Sequence, residues 1–242
     1  MATPSSASRR LRQVLLYGTS ANPPTGLQGH MGAVAYCRQF VDEVWLLPVY
    51  QHIYSSKRAL APFHHRVRMC ELAASVLPAS GARVEVKESE RELFEHLAAA
   101  TGRPEELRVG SIDLIKFLLE RNPDTAFTML LGADTYADLL AGKWKRGEEL
   151  QHLVQFLVMD RQGVDSPWHE HEQQQQQHQS DETAVERDQR EAPSVRFITV
   201  PGLSDVSSTR VRATSDIETL RELVGEDVAA YIVEHKLYAF TE

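Results

Sequence analysis

Three short stretches carry residue types suited to phosphate and nucleoside chemistry. The first is Gly18-Thr19-Ser20-Ala21-Asn22-Pro23-Pro24-Thr25-Gly26-Leu27-Gln28-Gly29-His30, which follows the apolar run Val14–Tyr17. A glycine directly after a buried strand lets an anion approach the backbone closely. The loop then delivers a histidine to the start of a helix, where free N–H groups and the dipole favour negative charge. An ordinary strand-to-helix turn with a surface histidine is equally compatible with these residues. The second stretch is Ser207-Ser208-Thr209-Arg210-Val211-Arg212, beyond Pro201-Gly202. Ser207 or Ser208 suits a helix N-cap, the hydroxyls suit a second anion site, and Arg212 can direct a guanidinium at the same phosphates. A capped helix with exposed arginines is the alternative. The third is Leu131-Gly132-Ala133-Asp134, followed by Trp144-Lys145. An acidic residue just past a parallel strand often accepts from a ribose hydroxyl, and Trp144, in a polar stretch, offers a face for a flat ring. Otherwise Asp134 caps the next helix and Trp144 packs on the domain.

The elements that must position these residues follow from periodicity. Val14–Tyr17, Glu43–Val49 and Arg83–Val86 read as strands, as do the apolar runs Ala126–Leu131, Gln155–Met159 and Val195–Val200. Near-continuous apolar runs are expected of strands covered on both faces. Helical patterns fall at Gly29–Phe40, Phe63–Leu77, Ser89–Ala100 and Ser111–Arg121, and Ser89 with Glu92 has the form of a capping box. Strand-helix alternation predicts an α/β fold, a Rossmann-like parallel sheet with helices on both faces, in a single domain. Ligands of such sheets bind at the carboxyl ends of the strands, so function is sought after Tyr17, Val49, Leu131 and Val200. Trp45 falls mid-strand and is expected in the core.

Length and charge narrow the function classes. The chain has 242 residues and a formal net charge of −8, long enough for one large core. Residues 162–194 hold eight acids and two arginines, so −6 of that charge sits there and the remainder is near neutral. A general nucleic-acid-binding face is therefore not expected. That same segment contains HEHEQQQQQHQ and almost no apolar residues, and it is read as a disordered insertion in a domain spanning 14–242, behind a flexible N-terminus 1–13. No apolar run approaches the roughly 18 residues of a membrane span. The two cysteines, Cys37 and Cys70, are too few for a disulfide framework, and an intracellular, cytoplasmic or nuclear, setting is expected.

Taken together, the motifs resemble those of the nicotinamide/nicotinate mononucleotide adenylyltransferases, within the nucleotidyltransferase superfamily of Rossmann-like folds. The pattern Gly-x-x-x-Pro-x-(His or Thr)-x-x-His is matched through Asn22-Pro23-Pro24-Thr25 and His30. Ser-Ser-Thr-x-x-Arg is matched by Ser207-Ser208-Thr209 with Arg212, and Gly-Ala-Asp with Trp-Lys by Gly132-Ala133-Asp134 and Trp144-Lys145. Phe63-His64-His65-Arg66 with Met69 is similar to a His-Arg-x-x-Met segment, Arg66 being a residue that either anchors a loop or touches substrate. The resemblance runs from about Val14 to Phe240. The chain departs from the pattern in having four residues, not two, between Thr25 and His30, and no aromatic after Gly18-Thr19. Gly110-Ser111-Ile112-Asp113 falls loosely where bacterial relatives place hydroxyls near the pyridine substituent.

The resemblance implies transfer of an adenylyl group from ATP to nicotinate or nicotinamide mononucleotide, with release of pyrophosphate. It gives His30 and Arg212 catalytic roles. Gly18, Thr19, Ser20, Thr25, His30, Ser207, Ser208, Thr209 and Arg212 would bind ATP. Asn22, Lys57, Gly132, Asp134 and Trp144 would bind the mononucleotide. Magnesium (Mg2+) would enter with ATP, with no metal-ligating residue assigned, and a homo-oligomer stays open. The alternatives are another nucleotidyltransferase, phosphopantetheine adenylyl- or cytidylyl-transferring, and a non-catalytic nucleotide-binding regulator suggested by the longer spacing before His30.

Overall fold

The structure is a computed structural model that describes residues 10–51, 60–161, 195–204 and 206–241. Six strands, β1 (Arg12–Thr19), β2 (Glu43–Pro48), β3 (Arg83–Val86), β4 (Thr125–Gly132), β5 (Gln155–Arg161) and β6 (Val195–Val200), form one sheet in the order β3-β2-β1-β4-β5-β6. Every neighbouring pair is parallel, as the alternation of strands and helices demands. The order reverses between β1 and β4, and this is where doubly wound sheets open a crevice.

Pleating sends successive side chains to opposite faces, so each strand feeds two cores. Leu15, Tyr17, Val44, Leu46, Leu130 and Leu157 pack on one face, and Val14, Leu16, Trp45, Leu47, Phe127, Met129, Leu131, Phe156 and Val158 on the other. The first core is covered by α1 (His30–Cys37), α2 (Phe63–Ser75) and three C-terminal helices, α7 (Ser208–Ala213), α8 (Ile217–Val224) and α9 (Glu226–Glu234). The second takes its buried residues chiefly from α4 (Ser111–Arg121), with α3 (Ser89–Thr101), α5 (Ala133–Leu140) and α6 (Gly147–Gln151) completing the layer. Trp45 is core, as expected.

Three local expectations change. β1 begins at Arg12, so Arg12 and Gln13 belong to the sheet: Arg12 N–H donates to Asp124 O and Gln13 N–H to the Asp42 carboxylate. The N-cap of α3 is Glu88, not Ser89, because Lys87 N–H still bonds Leu46 O and the chain turns only after it. Ser89 is buried inside the helix. On α4 the N-cap is Gly110, which has no side chain to cap with, and Asp113 supplies the reciprocal contact alone, its Oδ2 accepting from Gly110 N–H at 2.8 Å. Lys57 and residues 162–194 lie outside the described residues. Among the described residues no helix is long and apolar enough to cross a membrane.

Candidate active site

At the carboxyl ends of β2, β1, β4 and β5 lies a cavity of about 690 Å³. Its lining takes residues from every loop singled out by the parallel topology: Gly18–Ser20, Val49, Gly132–Thr135, and Leu203, Ser204 and Val206. Of the sequence-predicted residues, Gly18, Thr19, Ser20, Thr25, His30, Gly132 and Asp134 line it. A Cβ added at Gly18 would meet nothing within 4 Å, so the backbone there faces open space. Met159 and Asp160 also line the cavity and were not anticipated. Their position at the end of β5 was the available signal.

The loop after β1 is over-determined by contacts from distant segments. Ala21 is buried with φ 48°, a left-handed conformation that a Cβ disfavours. Arg66, only 1% exposed, spreads its guanidinium over four carbonyls. It donates to Ala61 O at 2.9 Å, Ser20 O at 3.0 Å, Val49 O at 2.6 Å and Tyr50 O at 3.5 Å. Arg66 therefore anchors the loops after β1 and β2, the structural alternative open at the sequence level. Asn22 is likewise buried and internal: its Oδ1 accepts from Ala61 N–H and from the Tyr238 hydroxyl, both at 3.0 Å. It does not line the cavity, so its part is to hold the loop.

The longer spacing before His30 is absorbed by a turn over Gly26–Gly29, closed by Gly29 N–H to Gly26 O at 2.9 Å. Thr25, fully buried, stays against His30. The His30 N–H donates to Thr25 Oγ1 at 2.9 Å, Thr25 N–H donates to His30 Nδ1 at 3.2 Å, and Thr25 Oγ1 lies 2.5 Å from the same nitrogen. A Cβ on Gly29 would sit 2.1 Å from Thr25 Oγ1, so this approach requires glycine there. Because Nδ1 accepts from the Thr25 amide, the ring proton of the neutral imidazole is on Nε2, which makes His30 a donor through that atom. The first helical N–H groups are less available than the sequence implied. His30 N–H is taken by Thr25 Oγ1, Met31 N–H by Thr25 O and Ala33 N–H by Gly29 O. The imidazole, not the helix terminus, is what this loop presents.

The Ser-Ser-Thr segment behaves as capping chemistry predicts. Ser207 is the N-cap of α7 and its hydroxyl accepts from Arg210 N–H at 3.3 Å. Ser208 Oγ donates to Pro23 O at 2.8 Å, and Arg212 donates to Asn22 O at 2.7 Å and to Thr209 Oγ1 at 3.0 Å. These residues do not line the cavity; they brace the first loop from the side of α7.

Trp144 and Lys145 sit elsewhere. Trp144 packs, partly buried, against the core that contains α4. Lys145 Nζ bonds Asp113 Oδ2 at 2.8 Å and Arg108 O at 3.0 Å, which joins the Trp-Lys pair to the Gly110–Asp113 turn. Neither stretch lines the cavity. Asp134 is the second residue of α5, whose N-cap is Gly132, so it does not cap that helix.

Comparison with known proteins agrees with this arrangement. A cytidylyltransferase-like family model matches residues 16–214. A protein of Anaeromyxobacter dehalogenans named probable nicotinate-nucleotide adenylyltransferase is 32% identical over 94% of this chain and 97% of its own length. One of the same name from Myxococcus xanthus is 30% identical over 93% of this chain and 94% of its own length. Among solved structures, the nicotinic acid mononucleotide adenylyltransferase of Plasmodium falciparum complexed with NaAD has the same fold. It is 21% identical with a TM-score of 0.66, over 95% of this chain and 98% of the other. With the glycine loop after β1, the Thr25–His30 pair and the Gly-Ala-Asp turn gathered at the point where the strand order reverses, the chain belongs to the cytidylyltransferase-like family and, within it, to the nicotinate-nucleotide adenylyltransferases.

Proposed function

We propose that this cavity transfers the adenylyl group of ATP to nicotinate mononucleotide, forming the deamido dinucleotide and releasing pyrophosphate in NAD biosynthesis. The observation that carries the reading is the convergence of Gly18–Ser20, His30 and Asp134 on one cavity in a chain whose relatives bear the adenylyltransferase name. The choice of nicotinate over nicotinamide rests on those names.

The chemistry asks little of the protein beyond positioning and charge. A mononucleotide phosphate oxygen attacks the α-phosphorus of ATP in line, a P–O bond forms, and the bond to the β-phosphate oxygen breaks. The nucleophile is already an anion, so no general base or covalent intermediate is required. His30, with Nδ1 fixed by Thr25, donates through Nε2 to the phosphate oxygens where charge grows. The Gly18–Ser20 backbone supplies the adjoining wall. Arg212 keeps N–H groups beyond those given to Asn22 and Thr209 for the β- and γ-phosphates, while Ser207, Ser208 and Thr209 hold α7 and the loop it braces. Asp134, on the cavity wall, accepts from a ribose.

Magnesium fits as a passenger of the triphosphate. Among the described residues no three His, Cys, Asp or Glu side chains converge into a metal cage. An ion that keeps its waters and phosphate ligands needs only one or two carboxylates, and Asp134 and Asp160 line the cavity. When bound, it neutralises charge on the leaving pyrophosphate. The regulator alternative loses its motive, because the longer spacing leaves His30 in contact with Thr25 and in the cavity wall.

The test is pyrophosphate release from ATP and magnesium, run separately with nicotinate and nicotinamide mononucleotide. Release with the nicotinate form, matched by a new dinucleotide, is the expected result. Faster turnover with nicotinamide would overturn the acceptor, and silence with both from a folded protein would overturn the reaction.

A further inference from the structure

The two residues that lengthen the Thr25–His30 loop bring a side chain into the cavity that the shorter pattern has no place for. In the Gly26–Gly29 turn, Leu27 points outward and is 63% exposed, while Gln28 lines the cavity at its mouth. The turn is held in three places. Gly26 N–H donates to Leu223 O at 2.8 Å, at the end of α8. Leu27 O presses on α1 so closely that a Cβ on Gly32 would lie 1.9 Å from it. Ser204, just after β6, donates twice to Gln28: its N–H to the backbone carbonyl at 3.0 Å and its hydroxyl to Oε1 at 3.1 Å.

With Oε1 accepting from Ser204, the exposed Gln28 amide presents Nε2 as a two-proton donor at the cavity mouth, and among the described residues nothing accepts from it. The backbone bond from Ser204 N–H to Gln28 O holds the residue itself in place before a ligand arrives, which lowers the cost of using it in binding. Its neighbours point to the ligand: Gln28 stands two residues before His30, and both line the cavity together with Gly18–Ser20, Asp160, Leu203 and Val206.

We propose that Gln28 is a binding residue for ATP, its Nε2 donating to an oxygen of the nucleotide while Ser204 holds Oε1. The proposal rests on the adenylyl-transfer reading for the identity of the ligand, and it adds a contact carried by the longer loop of this chain.

The test uses the full chain with Q28A, Q28E and S204A variants. It measures kcat, the separate KM values for ATP and mononucleotide, and the Kd of a non-hydrolysable ATP analogue by calorimetry. One neutral hydrogen bond is worth about a 3- to 10-fold change in affinity. Q28A is expected to raise the ATP KM and the analogue Kd by that factor, with the mononucleotide KM unchanged. Q28E keeps an acceptor for the Ser204 hydroxyl but has no donor, so it is expected to bind ATP at least as weakly as Q28A. S204A, which frees the amide to rotate, is expected to show a smaller loss. Wild-type ATP affinity in Q28A overturns the proposal. So does wild-type affinity in Q28E alongside a weak Q28A, since that pattern means the clasp alone matters. Because the analogue Kd is read without turnover, failure of the Gln28 contact is separable from failure of the reaction.

Discussion

At the scale of single residues, two side chains have sharply different roles. His30 is at the cavity with Nδ1 taken by Thr25, so His30→Ala removes one charge-stabilising donor and also leaves the buried Thr25 N–H without its acceptor. Turnover is expected to fall by about 10² or more, with the fold retained and stability lowered by about 1–3 kcal/mol. Near-normal turnover would remove His30 from the mechanism. Glu90 is the opposite case, a carboxyl that does not line the cavity yet is strongly perturbed. It accepts from Tyr50 N–H at 2.8 Å, and burial pushes its pKa from 4.5 up to about 7, outweighing the opposing pull of that hydrogen bond and of Arg66. Between those two values the folded chain binds more protons here than the unfolded chain, so this group's contribution to stability declines as pH rises through about 4.5 to 7. E90Q keeps an acceptor for Tyr50 without the charge. The melting-temperature difference between E90Q and wild type should therefore move in favour of E90Q from pH 5 to pH 8, and parallel profiles would contradict the assignment.

At the scale of elements, the C-terminal helices are what fasten the first loop. Leu220, Leu223, Val224, Val228, Ala229 and Ile232 are buried at helical spacing in α8 and α9. His65 Nδ1 and the Tyr231 hydroxyl, 2.8 Å apart, join α2 to α9. Beyond α9, a short 3-10 turn over Tyr238–Phe240 places the Tyr238 hydroxyl 3.0 Å from Asn22 Oδ1. The loop that presents His30 is thereby tied to the end of the chain. Tyr238→Phe deletes that one bond and leaves Asn22 its partner at Ala61. A loss of about 1 kcal/mol of stability is expected, readable as a midpoint shift in urea with an unchanged slope. No shift in the midpoint would mean the bond contributes nothing to the fold.

At the scale of the whole molecule, the joint between β5 and β6 decides what can be removed. The two strands are parallel, with Val195 opposite Phe156 and Val200 opposite Arg161. The connection must therefore return from the carboxyl end of β5 to the amino end of β6, which takes about a dozen residues. We expect a Gly/Ser linker of about 12 residues in place of residues 162–194 to preserve the sheet and the turnover. A linker of about four should cost β6, and with it α7 and the brace on Asn22. Circular dichroism and pyrophosphate release on the two deletions check this, and full activity of the shorter one would contradict the parallel joint.

The alternation of apolar runs and helical periods was enough to specify a doubly wound parallel sheet, because strand burial and helix amphipathicity are written in local spacing. The three polar motifs were legible for the same reason: Gly18, Ser207 and Gly132 stand at strand ends or helix starts that the chain itself marks. Even α8 and α9, to which the sequence reading assigns no element, carry that periodicity at Leu220 to Ile232. Tertiary structure alone decided which polar side chains face the cavity and which hold the loop in place. Arg66 reaches Ser20 across 46 residues, Arg212 reaches Asn22 across 190, and Tyr238 reaches Asn22 across 216. Such side chains satisfy buried carbonyls and amides whose positions exist only once the sheet has formed. The same holds for His30 and Gln28. Residue count opened a gap in the loop, but only the Gly26–Gly29 turn, seated on α8 and clasped by Ser204, returned the histidine to Thr25 and brought the glutamine to the cavity mouth.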